Sequence, residues 1–326
     1  MGESMLSVVS PAFNEARNLP AVYEKIRSLT EGKDLDWEWI IVDDHSSDDT
    51  PKVIAQLAQA DPRVRGVRLS RNFGAHAALY CGLSLCRGAV AATLAADMQD
   101  PPQVIDDMLE RWREGAQVIW AKRMQRLGDA ASKKVLASLY HRVLKYVVAN
   151  PEMPSEGVDF FMLDRRVIDA LKQTGESNFS LFALVAWMGF RQATVEYVRQ
   201  PRLSGRSGWT LAKQLTMALD TIISFSMLPI RLAAAAGVVL ALLGLIYLPY
   251  LLFNWLTGAP VEGWTTLMAV VLILGGLLMI QSSVSGEYLW RALSEARKRP
   301  RFIIEATYGT PMHNDQPAQT QVKELS

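Results

Sequence analysis

The chain has 326 residues, is 50% hydrophobic and carries a formal net charge of +1. That length suggests two units, and the near-neutral charge excludes a nucleic-acid partner held by bulk electrostatics. The apolar residues crowd into the last third, which points to a soluble part followed by a membrane part.

Strand-like runs at 6–11, 38–42, 64–69, 89–95 and 117–121 alternate with amphipathic helical stretches. This alternation predicts an α/β fold with a doubly wound, mostly parallel sheet. Ligands on such sheets bind beyond the carboxyl ends of the strands, so the residues that end each run should converge on one crevice. The first run ends in Pro11-Ala12-Phe13-Asn14-Glu15 and the second in Val42-Asp43-Asp44-His45-Ser46. Two adjacent acids closing an apolar strand repel unless ligand groups or neighbouring amides donate to them. Asp48 and Asp49, before Thr50-Pro51, read instead as a helix start. The fourth run leads into Ala95-Ala96-Asp97-Met98-Gln99-Asp100-Pro101-Pro102. Asp97 and Gln99, two residues apart at a strand end, form an oxygen pair suited to a hard cation, and the cation to a diphosphate.

Further along, Leu136, Leu139, Val143, Leu144 and Val147 share one face of a basic helical stretch, and Leu211, Leu215, Leu219, Ile222 and Ile223 form a second amphipathic stripe. Both read as interfacial helices, with ordinary core-facing helices as the plainer alternative. Residues 232–256 and 264–284 contain no charged side chain, and at about 1.5 Å per residue each covers a hydrocarbon core of roughly 30 Å. Lys and Arg flank the pair and the connector has none, which puts residues 1–200 and the C-terminal segment on the cytoplasmic side. Residues 1–5 are short and polar and do not read as a signal peptide. Cys81 and Cys86 read as packing residues, the four histidines have no metal spacing, and the polar stretch beyond Glu305 reads as a disordered tail.

The segments Pro11-Ala12-Phe13-Asn14-Glu15, Val42-Asp43-Asp44, Arg71-Asn72-Phe73-Gly74 and Asp97-Met98-Gln99-Asp100-Pro101-Pro102 resemble, in order and spacing, family 2 glycosyltransferases that load polyprenyl phosphates. That group includes dolichyl-phosphate mannose synthases and bactoprenol-phosphate glucosyltransferases. The likeness continues through Gly157-Val158-Asp159-Phe160, Arg202, Ser207, Ser224-Phe225-Ser226, Gly286-Glu287-Tyr288 and Arg299-Pro300.

The resemblance implies a GT-A type nucleotide-sugar-binding sheet and a bacterial inner-membrane enzyme. Its domains would be a cytoplasmic catalytic domain at 1–208, a juxtamembrane amphipathic region at 209–231, a two-helix hairpin at 232–284 and a cytoplasmic segment with a disordered tail at 285–326. Pro11, Phe13, Glu15, Val42, Asp44 and Ala96 would line the donor pocket, and Asp97 and Gln99 would face Mg²⁺ or Mn²⁺ and the diphosphate. Arg123, Arg126, Arg202 and Ser207 would meet phosphates, and Asp159 would sit near the acceptor, a polyprenyl (undecaprenyl) phosphate. The chain departs from the pattern at Ala95, usually the first aspartate of a DxD motif, at Phe161, often arginine, and at Gly208, often lysine.

The expected reaction is inverting transfer of one sugar, UDP-glucose being the first candidate donor, for polysaccharide or lipid glycosylation. Asp159 also reads as a plain helix-capping acid. Two other readings stand beside the main one. A processive polysaccharide synthase is opposed by the small number of spans and the missing Q-x-x-R-W signature. A non-catalytic nucleotide-sugar sensor or scaffold is favoured by Ala95 alone. Ala233, Gly237 and Ala241 form a small-residue stripe that would permit a homo-oligomer.

Overall fold

The computed structural model describes residues 5–33, 35–97, 101, 103–124, 158–174, 181–198, 228–257 and 263–310. The first half alternates strand and helix: β1 (Leu6–Ala12), α1 (Leu19–Thr30), β2 (Trp37–Asp43), α2 (Thr50–Ala60), β3 (Val64–Leu69), α3 (Ala75–Leu85), β4 (Val90–Thr93), α4 (Val104–Arg113) and β5 (Val118–Arg123). Then come β6 (Val158–Asp164), α5 (Arg165–Gln173), α6 (Leu181–Trp187), β7 (Gln192–Tyr197), two long helices α7 (Leu228–Leu256) and α8 (Trp264–Ala296), and β8 (Ile304–Tyr308). Both interfacial stretches and the tail past residue 310 lie outside the described residues.

All eight strands form one sheet in the order β7-β5-β6-β4-β1-β2-β3-β8. The centre is parallel, with β1 between β2 and β4, and β3 outside β2. Strand β6 runs antiparallel to both β4 and β5. The five expected strands are therefore present, but β5 pairs with β6 and β7 rather than extending the parallel run from β4.

Side chains alternate across the sheet and build a core on each face. Leu6, Val8, Trp39 and Ile41 pack with residues of α1, α2 and α4, whereas Val9, Ile40 and Val42 pack with α3, α5 and α6. Full burial of each such side chain contributes roughly 1.5–3 kcal/mol. Helix α3 lies close to the sheet because residue 82 is glycine: a Cβ there would meet Val9 Cγ1 at 2.3 Å.

Strand β8 departs most from the expected domain scheme. It pairs antiparallel with β3 across Gly66↔Tyr308, Val67↔Thr307 and Arg68↔Ala306, so the segment after the long helices is an edge strand of the amino-terminal sheet. The tail that was expected to begin past Glu305 starts no earlier than the end of this strand.

Helix α7 contains one stretch, Ala233–Asn254, long and apolar enough to cross a membrane by length and composition, the sole such stretch among the described residues. The second expected span, residues 264–284, lies within α8, and several of its side chains are outside the described residues. Large side chains on both helices stand open, among them Ile246 and Phe253 on α7 and Leu278 and Met279 on α8. An apolar surface of that size marks contact with lipid or with another protein.

Candidate functional site

The carboxyl ends of β1 and β2 carry two loops laced together by side chains. Asn14 joins them: its amide donates to Ser46 Oγ (2.9 Å), and its Oδ1 accepts from the Ser47 amide (2.9 Å) and hydroxyl (3.2 Å). The Glu15 amide donates to Thr50 Oγ1 (2.9 Å), and the Asp44 amide to the Ala12 carbonyl (2.9 Å). Asn14 (φ 59°) and His45 (φ 62°) both adopt left-handed backbone. Asparagine tolerates that region better than most residues, and strained residues persist where their surroundings over-determine them.

The paired acids of β2 find their donors within the protein. Asp44 is buried, and its two carboxylate oxygens accept from the amides of Phe73 (2.7 Å) and Gly74 (2.8 Å) at the start of α3. Burial pushes its carboxyl above the usual carboxylate range, and the two amides draw it part of the way back. Asp43 accepts from the Ser46 amide (2.9 Å) and from Arg68 (2.6 Å) on β3. Arg68 also donates to the Ser46 carbonyl and, through Nε, to Glu305 of β8 (2.9 Å). Burial opposes the Arg68 charge, yet Glu305 and Asp43 together raise its pKa. Asp48 is the local capping acid, taking the Thr50 amide (3.0 Å) and hydroxyl (2.5 Å), which matches the helix start read at 48–50. Burial acts to raise its pKa, but the bonds from Thr50 and Ala16 outweigh it and hold it below the usual range.

Phe13 is 49% exposed at the mouth of these loops and presents an open apolar surface. Pro11 is half-buried at the end of β1, and Glu15 is half-buried, its Oε2 accepting from Asn18 Nδ2 (2.5 Å). Val42 is sealed in the core, so only its backbone can meet a ligand. A cleft of about 490 Å³ opens beside this loop, walled by His45, Ser46, Ser47, Lys52, Arg68 and Tyr308. No residue of β1 or β4 lines it.

At the end of β4, Ala96 is buried and Asp97 half-buried. Gln99 lies outside the described residues, as do Arg126, Arg202 and Ser207. Arg123 ends β5 in an exposed position. Because β6 is antiparallel, its first residues lie at the carboxyl edge of β4 and β5, which is where Asp159 falls. The register slips there, Ala121 facing Phe160 and Lys122 facing Val158, so Asp159 is the extra residue of a bulge. Bulges re-aim side chains and concentrate near binding sites. The Asp159 side chain is outside the described residues. The acid that caps the following helix is Asp164, whose Oδ1 accepts from the Arg166 amide (2.9 Å), so the capping role considered for Asp159 falls to Asp164.

Among the described residues no group of three acidic, histidine or cysteine side chains gathers into a metal site. The donor set at the end of β4 fits a hard cation that takes most of its oxygens from elsewhere, with Asp97 supplying a carboxylate. Sequence reasoning passed over Arg68 and Glu305. Arg68 alternates with apolar neighbours in an ordinary strand, and Glu305 lies 237 residues further on, so only the β3–β8 pairing brings them together.

The glycosyl transferase family 2 model matches residues 7–172, from β1 to α5. Similar proteins run well beyond that stretch. The "Prophage bactoprenol glucosyl transferase homolog" of Escherichia coli K12 is 34% identical over 301 residues, covering 92% of this chain and 98% of its own. The "Bactoprenol glucosyl transferase" of Shigella phage SfII is 33% identical over 308 residues, covering 94% and 99%. The "Uncharacterized glycosyltransferase YkcC" of Bacillus subtilis is 34% identical over 304 residues, covering 93% and 94%. Among solved structures, mannosyl-3-phosphoglycerate synthase from Rubrobacter xylanophilus aligns with TM-score 0.47 and 20% identity over 66% of this chain and 71% of its own. The chain belongs to glycosyl transferase family 2 and is a glycosyltransferase.

Proposed function

We propose that this enzyme moves one sugar, glucose first among candidates, from a nucleotide sugar to a polyprenyl phosphate such as undecaprenyl phosphate at the cytoplasmic face of a bacterial inner membrane. The observation that carries this reading is full-length similarity to bactoprenol glucosyl transferases, which spans the long helices as well as the catalytic sheet. The edge strand β8 supports the two-span hairpin. It follows α8 yet pairs with β3, so the chain between them crosses a membrane an even number of times if it crosses at all. A return through α8 would balance a crossing by α7.

In this reading the nucleobase packs on Phe13, with its polar edge toward the Asp44 loop. The diphosphate lies over the end of β4 beside Asp97, and Gln99 and Arg123, Arg126, Arg202 and Ser207 assist with the phosphates. Mg²⁺ or Mn²⁺, held by Asp97 and Gln99, would supply Lewis-acid stabilisation of the diphosphate. The acceptor needs little help from a base, because a phosphate monoester with a second pKa near 6 is already largely a dianion at neutral pH. Asp159 orients that acceptor, and direct attack inverts the anomeric carbon. The chain's task is to hold two anionic reactants in line and to keep donors aimed at the leaving group.

The test is transfer from radiolabelled UDP-, GDP- and CDP-sugars to undecaprenyl phosphate in detergent, with Mg²⁺, with Mn²⁺ and with chelator. One lipid-linked monosaccharide from one donor, lost with chelator, is the expected result. Donor binding without any product would overturn the reading.

A further inference from the structure

We propose that Glu305, on the strand that follows the membrane helices, is a positioning residue for the donor site, so that this site is completed by the carboxyl-terminal end of the chain. The inference rests on the donor-pocket reading above. Glu305 accepts from Arg68 Nε at 2.9 Å, and its Oε2 lies 3.5 Å from His45 Nδ1. Arg68 turns its other edge to Asp43 (2.6 Å) and to the Ser46 carbonyl. Ser46 in turn receives the Asn14 amide. A continuous set of hydrogen bonds, those of Arg68 charge-assisted, therefore runs from β8 through β3 to the two loops that bracket the exposed Phe13.

The loop needs such support. His45 has positive φ, and its ring bonds to the Leu69 carbonyl (3.1 Å) on the same side as Glu305. With Glu305 neutral, Arg68 loses the carboxylate on its Nε edge and can rotate away from Asp43 and Ser46, and the left-handed turn at His45 loses its outer brace. The strand is itself fixed to the site from two directions. The Ser70 amide donates to Ile303 O (2.9 Å), and Arg301 donates to Thr174 O (2.7 Å) while stacking over Tyr80 at 4.0 Å. Tyr80 lies on α3, and the amides just before that helix, of Phe73 and Gly74, hold Asp44.

The experiment uses the full chain in detergent. Binding of UDP, GDP and CDP, each with Mg²⁺, is measured by calorimetry for wild type, Glu305→Gln and Glu305→Asp, beside steady-state kinetics and thermal unfolding. Glu305→Gln should weaken the preferred nucleotide and raise donor KM by about three- to tenfold, the range for a partly exposed charged hydrogen bond. Acceptor KM and Tm should stay unchanged, and Glu305→Asp should recover part of the loss. Wild-type binding that Glu305→Gln leaves unaltered would overturn the inference alone. So would a fall in Tm with equal losses for donor and acceptor, since that marks β8 as structural only. A wild-type chain that binds no nucleotide would overturn the donor-pocket reading and this inference with it.

Discussion

Strands β2 and β3 carry an acid–arginine pair at each end, and the two pairs serve different ends. At the amino edge, Glu38 and Arg65 are both buried, joined at 2.5 Å, and Glu38 also accepts from Ser7 Oγ (2.7 Å) and the Arg87 amide (2.6 Å). All its donors come from rigid elements or the turn after α3, and it closes off the floor of the sheet. At the carboxyl edge, Asp43 is just as buried, but Arg68 is 18% exposed and reaches onward to Glu305, which is 47% exposed. The same chemistry thus locks one edge and, at the other, holds the loop that is proposed to meet the donor. Removing one partner of a pair surrounded by protein strands a buried charge and costs stability, whereas a pair with one partner at the surface is screened and yields at little cost.

Glu38→Ala is the severest test of this contrast. It leaves Arg65 buried without its carboxylate and should lower stability by about 3–5 kcal/mol, read from denaturant unfolding. Activity per folded molecule should be unchanged, and a changed donor KM would erase the distinction between the edges. Asp97→Ala should do the reverse, costing about 10²-fold in kcat with no change in Tm, as for loss of one group that stabilises the leaving charge. A fall in Tm instead would make Asp97 a fold residue.

Asp61 lies on the stability side, between α2 and β3. Arg63 hydrogen bonds hold its carboxyl at about 2, against 3.8 for the unperturbed group. Its folded pKa is depressed, so its contribution is present above pH 3.8 and disappears as pH falls through about 2. Asp61→Asn should cost about 1–2 kcal/mol at neutral pH, discounted because Arg63 is half exposed, and the gap from wild type should close on acidification. The smallest effect is expected at the loop. Asn14→Ala removes the Ser47 contacts and an αL-tolerant side chain and should weaken donor binding by about fivefold with little change in Tm. Asn14→Gly restores backbone freedom, so its residual loss measures the side-chain contacts alone.

Five strands and the polar strand ends could be read from the sequence because a central parallel strand is a short apolar run closed by turn residues, a strictly local pattern. Strand β6 was not, since the four apolar residues Phe160-Phe161-Met162-Leu163 lead straight into a helical stretch with no Gly or Pro between, and so short a run cannot be told from a buried helical turn. It becomes a strand because it fills the slot between β4 and β5, where Thr93 Oγ1 exchanges bonds with the Phe161 amide (3.0 Å) and carbonyl (3.1 Å). Strand β8 is five residues long and needs the open edge of β3 to exist at all. The second span was read from its length and absence of charge, and it falls within α8, several of whose side chains are outside the described residues.

What the sequence determined by itself is local: the alternating elements, the acids and asparagine that end β1 and β2, the helix start at 48–50 and the apolar stretch of α7. Each follows from residue type and short-range period. What the tertiary structure alone decided is long-range: that Asp43 and Asp44 are met by Arg68 and by the amides just before α3, that Asp159 lies on a bulge at the carboxyl edge of β5, and that Glu305 returns past two long helices to reach Arg68. Those contacts depend on the order of strands in the sheet, which is set by how the two faces are buried together and leaves no mark on any short stretch of chain.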